Sequence, residues 1–259
     1  MMAAFYPGER PFRSAEVMMK LTDYDGKYVH IRDTDGIEFS GRARYGSAEF
    51  LECEWGQDED GIFIEDVLIC QSQIQSIEEI LPHGSAELWT DRLILRRYRP
   101  DDVEQLYKYF GTDPAMYKYS GWNPYATLAM TRETVQGFID SYHDEHSYSW
   151  VMDANGDDVV AGTIGAYDYN KGQIEVGFSV SRAWQGRGFA TEALKAVLAH
   201  LTENEGISCV TAWCAAENTG SRKVLEKAGM QHVHTEKGGL TVDDRVYDKM
   251  IYQYRATMS

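Results

Sequence analysis

The stretch of this sequence best suited to chemistry is Val180-Ser181-Arg182-Ala183-Trp184-Gln185-Gly186-Arg187-Gly188-Phe189-Ala190-Thr191-Glu192-Ala193. It reads as the end of a strand running into the start of a helix. Gly186 and Gly188 remove side chains where the backbone must turn and expose consecutive N–H groups, and the helix behind adds the positive end of its dipole. Such a cradle suits a diphosphate. A Walker A loop is excluded, because no Lys-Ser/Thr pair follows the glycines. A dinucleotide fingerprint would need a third small residue where Thr191 stands, and it normally opens a βαβ domain rather than following several hairpins.

The second segment of interest runs Asn218-Thr219-Gly220-Ser221-Arg222-Lys223-Val224-Leu225-Glu226-Lys227-Ala228-Gly229-Met230. Asn218 is a sound N-cap and Gly229 a sound C′ residue, so a helix is expected between them.

The elements that must hold these segments alternate between strands and helices. Leu88 to Tyr98 reads as a strand, Pro100-Asp101-Asp102 opens a helix through Phe110, and a second helix is expected from Thr131 to His143. Ser147 to Asp153, Val159 to Tyr167 and Gln173 to Val180 follow as strands separated by Asn155-Gly156 and Asn170-Lys171-Gly172, both hairpin signals. From Gly188 to Leu201, the residues Phe189, Ala193, Leu194, Val197, Leu198 and Leu201 recur at helical spacing, which predicts a helix packing one face on a sheet. A strand from Ser208 to Cys214 completes a crossover unit. The expectation is an α/β (α+β) domain, a mixed central sheet flanked by helices.

The pattern Val-x-x-x-x-Gln-Gly-x-Gly-x-Ala, with Gly188-Phe189-Ala190-Thr191-Glu192-Ala193, resembles the acetyl-CoA loop of the GNAT superfamily of N-acetyltransferases, in its ribosomal-protein alanine acetyltransferase-like branch. The resemblance spans residues 87–254 and includes Thr90-Asp91-Arg92-Leu93-Ile94-Leu95-Arg96, Glu175-Val176-Gly177-Phe178 and the Asn-x-x-Ser motif of Asn218 and Ser221. It implies acetyl transfer from acetyl-CoA, as co-substrate, to a primary amine on a peptide, protein N-terminus or small molecule. The backbone of Gln185, Gly186, Arg187, Gly188, Phe189 and Ala190 would hold the diphosphate, and the strand edge from Gly177 to Val180 would pair with pantetheine. The amide near Phe178 would polarise the thioester carbonyl. A base is then required, and Glu175 is the candidate. Relatives often carry a tyrosine in the last helix as the acid for the leaving thiolate; that position here is Leu225, which leaves Ser221 as the group near the sulfur. Glu192 reads as a structural, dipole-satisfying acid. Tyr117, Tyr119, Trp122 and Tyr125 fall where relatives shape the acceptor groove, with Tyr119 and Trp122 the candidates for the pocket wall.

No metal is expected, because His143, His146, His232 and His234 come with no H-E-x-x-H or paired-cysteine pattern. The formal net charge of −16 opposes nucleic-acid and anionic-lipid partners and favours cationic ones. Four cysteines without a CxxC pair, and no basic-then-apolar leader or long apolar run, point to the cytoplasm. A homodimer is compatible with all of this.

Residues 1–86 hold 17 Asp/Glu against 7 Lys/Arg, a net of −10. From Val17 to Ile80 the pattern reads as five short strands, Tyr28 to Arg32, Ile37 to Tyr45, Ala48 to Trp55, Ile62 to Cys70 and Ile74 to Ile80, with no helix. Their order is similar to that of the Sm-like small barrels, so a small all-β barrel domain is expected over 1–86, joined by a linker near 81–86 to an acetyltransferase domain over 87–259. An alternative function is a non-catalytic acyl-CoA sensor whose acidic barrel recruits a protein partner.

Overall fold

The computed structural model describes residues 20–64, 66–80, 83–144, 146–154 and 156–256. Val17 to Met19, Leu81, Pro82 and Asn155, on which some expectations fell, lie outside them. The fold divides into two compact units between Ile80 and Leu81.

In the first unit, β1 (Tyr28–Asp33), β2 (Glu38–Gly46), β3 (Gly61–Ile64), β4 (Val67–Cys70) and β5 (Ile74–Glu79) form an antiparallel sheet in the order β4-β3-β2-β1-β5. β2 pairs with β1 through Arg42 and with β3 from Ala43 onward. At the change of partner stands Gly41, where a Cβ would meet the Ile64 side chain at 2.7 Å. Among the described residues no strand pairing joins β4 to β5. The segment expected as the third strand is a helix, α1 (Ala48–Trp55). Capping decides this: Ser47 accepts from the Phe50 N–H, Asp60 takes the Ala48 N–H at 2.8 Å, and Gly56 closes the helix at φ 67°.

The second unit is built on an eight-stranded sheet in the order β12-β13-β11-β10-β9-β8-β7-β6. Its strands are β6 (Leu88–Trp89), β7 (Leu93–Arg96), β8 (Tyr148–Ala154), β9 (Val160–Asn170), β10 (Gln173–Val180), β11 (Cys209–Ala215), β12 (Gln231–Val242) and β13 (Arg245–Arg255). The single long strand expected from Leu88 to Tyr98 is thus the hairpin β6–β7, turning at Thr90. All pairs are antiparallel except β10 with β11, which are joined by the crossover helix α4 (Phe189–Ala199). Helices α2 (Asp102–Leu106) and α3 (Leu128–Asp140) pack on the sheet face of Val151, and α4 and α5 (Thr219–Lys227) on the face of Trp150, Ile164, Ile174 and Val176. α3 starts three residues before the expected Thr131, because Thr127 caps it from the Met130 N–H. Every apolar residue that set the period of α4 is buried. From Gly84 the expected linker is packed: Ser85 accepts from the Ser149 N–H at 2.9 Å and the Ala86 carbonyl from Trp150 Nε1 at 2.8 Å.

Two ionic clusters fix the sheet's flanks. Arg96, only 4% exposed, donates twice to Asp102 (3.0 and 2.8 Å) and once to Asp153 (3.2 Å), tying β7 to the start of α2 and to β8. Glu192, in the first turn of α4, accepts from Thr90 Oγ1 at 2.6 Å and from the Arg92 N–H and Nε at 2.9 and 2.8 Å, locking α4 to the β6–β7 hairpin. Burial raises the Glu192 pKa, but the bonds from Thr90 and Arg92 outweigh it and hold the carboxyl below its ordinary value.

Replacing Asp102 by Ala leaves the Arg96 guanidinium buried with half its partners, a loss of about 3–5 kcal/mol in urea unfolding. Glu192→Gln costs roughly 1.5–3 kcal/mol at neutral pH. A depressed folded-state pKa stabilises above the ordinary carboxylate range and is lost as pH falls through the folded value. The difference between wild type and variant therefore shrinks on acidification.

Candidate active site

β10 and β11 pair in parallel at only three positions, Gln173 with Cys209, Ile174 with Val210 and Glu175 with Thr211. Beyond Glu175 the strands part, while β10 stays paired to β9 as far as Val180. The edge of β10 from Val176 to Val180 is therefore free of strand partners, and the wedge opens into a cavity of about 1190 Å³. Phe178 and Val180, both half-buried, line it from β10, Ala212 to Ala215 from β11, and Asn218 and Ser221 from the start of α5.

At the mouth of the wedge the chain bends into α4. Gly186 and Gly188 have φ of 76° and 87°, a left-handed conformation that costs other residues energy. Among the described residues, the N–H groups of Gly186, Arg187, Gly188, Phe189, Ala190 and Thr191 have no main-chain acceptor, so six consecutive donors on this bend are unpaired. The opposite side of the arc is fastened. Arg92 donates to the Arg187 carbonyl at 2.9 Å and lies over the Phe189 ring, which stacks on Trp184. Gln185 donates from Nε2 to the Val180 carbonyl at 2.9 Å. The Arg187 guanidinium sits 4.6 Å above the Trp184 ring, and Arg187 is absent from the cavity wall. The space where a Gly186 Cβ would sit is open. Donors, curvature and room fit a diphosphate.

Asn218 caps α5, its Oδ1 accepting from the Ser221 N–H at 3.2 Å, and the Ser221 hydroxyl has no protein partner among the described residues. Leu225 is 1% exposed in the core and does not reach the cavity. Glu175 is not on the cavity wall either. Its Oε1 accepts from Trp213 Nε1 at 2.9 Å, and it faces Tyr167 across the β9–β10 ladder; Trp213 and Tyr167 do line the cavity. Tyr119 lines it as well, its ring set edge-on to Tyr247, and so does Trp122, which is 65% exposed. Tyr125 also lines the cavity but is buried against Phe110 and Tyr98, with burial pushing its pKa up to about 12.

Sequence reasoning missed Tyr167, Trp213, Lys223 and Lys227, all on the cavity wall. The two lysines were legible as the outer face of a capped helix. They put positive charge beside the cavity of a strongly acidic chain. Among the described residues, no group of three or more His, Cys, Asp or Glu could hold a metal ion. Among the described residues, no helix is long and apolar enough to cross a membrane.

The family model described as "Acetyltransferase (GNAT) domain" matches residues 92–231, more than half of the chain. The uncharacterized N-acetyltransferase p20 of Bacillus licheniformis is 26% identical over 64% of this chain and 97% of its own length. The [ribosomal protein uS5]-alanine N-acetyltransferase of Escherichia coli is 23% identical over 63% of this chain and 88% of its own. Among solved structures, RimL, a ribosomal L7/L12 alpha-N-protein acetyltransferase in complex with coenzyme A, superposes with a TM-score of 0.61 at 18% identity, covering 65% of this chain and 97% of that one. Wedge, bend and capped helix, in this order and with this match, make the chain a member of the GNAT acetyltransferase family.

Proposed function

We propose that the second unit transfers the acetyl group of acetyl-CoA directly to a primary amine, and that the bend from Gln185 to Ala190 holds the cofactor's diphosphate. The observation carrying this is the arc of six unpaired N–H groups at the mouth of the β10–β11 wedge. The free edge of β10 from Gly177 to Val180 takes the pantetheine amides, and the amide at Phe178 faces the thioester carbonyl and stabilises its oxyanion. Lys223 and Lys227 offset the cofactor's negative charge.

Attack needs a neutral amine. Glu175, held by Trp213, accepts the proton that the nitrogen gives up as the N–C bond forms. The C–S bond breaks, and the Ser221 hydroxyl donates a hydrogen bond to the departing thiolate. Tyr119 and Trp122 form the acceptor side of the cavity. A protein α-amine is the acceptor class best supported, given the ribosomal-protein specificity in the names of E. coli and RimL relatives. The acidic balance adds a preference for cationic acceptors. The two units act as separate domains, the acidic front one serving as a protein-contact module.

Gly188→Val forces a β-branched side chain into φ 87° and turns donors away. Losing two such hydrogen bonds weakens coenzyme A binding about 100-fold or more by calorimetric titration. Unchanged affinity would remove the bend from the site. Ser221→Ala lowers kcat about tenfold or more in a free-thiol assay, while coenzyme A affinity holds. An unaltered kcat would strike Ser221 from the mechanism.

A further inference from the structure

Glu175 poses a geometric problem for a base, because it stands one residue behind the cavity wall while Tyr167 stands in front of it. The two are directly opposite in the β9–β10 ladder, so their side chains share a face. On that face, Ser149, Gly165 and Gly177 lie in register across β8, β9 and β10 as a row of small residues, all lining the cavity. The Tyr167 ring leans over this row. A Cβ on Gly177 would stand 2.7 Å from Tyr167 Oη, so only glycine at 177 leaves the hydroxyl room to reach the parting of the strands.

A backbone irregularity produces this pairing. The β9–β10 register shifts between Gln173 and Glu175: Gln173 pairs with Asn170, but Glu175 pairs with Tyr167. An unbroken ladder would set Asp168 opposite Glu175, carboxylate against carboxylate, and turn Tyr167 to the other face. Asp168 instead absorbs the extra residue at φ 57°. Bulges beside active sites commonly re-aim a side chain in this way.

We propose that the Tyr167 hydroxyl is a proton relay between the acceptor amine and Glu175. This rests on the assignment of Glu175 as base. As the N–C bond forms, the nitrogen becomes cationic and acidic; its proton passes to Tyr167 Oη while the phenol's own proton passes to the Glu175 carboxylate. The phenol ends as it began, and protonated Glu175 returns its proton to solvent. Burial, then the charge and hydrogen bond of Glu175, push the Tyr167 pKa up to about 12. The phenol therefore keeps its proton and has one to pass to Glu175, which stands opposite it in the ladder. Trp213 holds one carboxylate oxygen, Oε1.

The test uses the full chain with acetyl-CoA and a panel of primary amines, namely peptides with free α-amines and polyamines, and compares Tyr167→Phe, Glu175→Gln and the double variant. With the best acceptor, Tyr167→Phe lowers kcat about 100-fold, with coenzyme A affinity, KM for acetyl-CoA and melting temperature unchanged. The double variant is no slower than the slower single one, because both residues serve one proton path. Gly177→Ala, which displaces the hydroxyl, lowers kcat in the same direction. The relay is overturned if Tyr167→Phe keeps kcat within about threefold or if the two losses multiply. A harmful Tyr167→Phe beside a harmless Glu175→Gln overturns it too, by removing the base. A harmless Tyr167→Phe with a harmful Glu175→Gln leaves the base standing without the relay. Acetylation of no amine by the unaltered chain removes the transfer reading and the relay together.

Discussion

The whole site depends on two parallel strands that stop pairing. A buried strand edge normally hands its N–H and C=O groups to a neighbour, and leaving them unpaired costs free energy unless another partner takes them. β10 and β11 part after Glu175 and Thr211, which opens that edge along the stretch facing the cavity. A ligand with amides of its own, such as pantetheine, can act as the missing strand. In the proposed site the backbone would then do the binding, leaving side chains for other work.

Holding such an opening needs rigid surroundings. On one face α4 buries Phe189, Ala193, Leu194, Val197 and Leu198, and Glu192 pins its first turn to Arg92 and Thr90. Arg92 serves twice, since it also takes the Arg187 carbonyl and so fixes which way the bend presents its donors. On the other face the Arg96 cluster ties β7, α2 and β8 together. Both clusters were invisible in the sequence, because Arg96 meets Asp153 from 57 positions away and Arg92 meets Glu192 from 100.

What could be read from the residues was what local chemistry encodes. Gly186 and Gly188 stand where φ must be positive, Asn218 and Gly229 cap a helix, and the apolar period of α4 names its buried face. The α1 segment reads as a strand because Leu51, Cys53 and Trp55 alternate with Glu52 and Glu54, while the deciding partner, Asp60, lies beyond the helix. Tyr119 and Trp122 cannot be told from Tyr125 by type, since only packing buries Tyr125 at the cavity wall and leaves Trp122 exposed. Tyr167 was hidden by a one-residue shift: counting back from the Lys171-Gly172 turn without the bulge points to Asp168. Glu175 was legible as a strand acid, but its place behind the wall was not.

The most direct measurement is backbone amide NMR of the full chain during titration with coenzyme A. If the bend holds the diphosphate, the amide resonances of Gly186, Gly188, Phe189 and Ala190 move furthest downfield and their hydrogen exchange slows on binding. Saturation with coenzyme A while these resonances stay in place and the changes fall elsewhere would contradict the account.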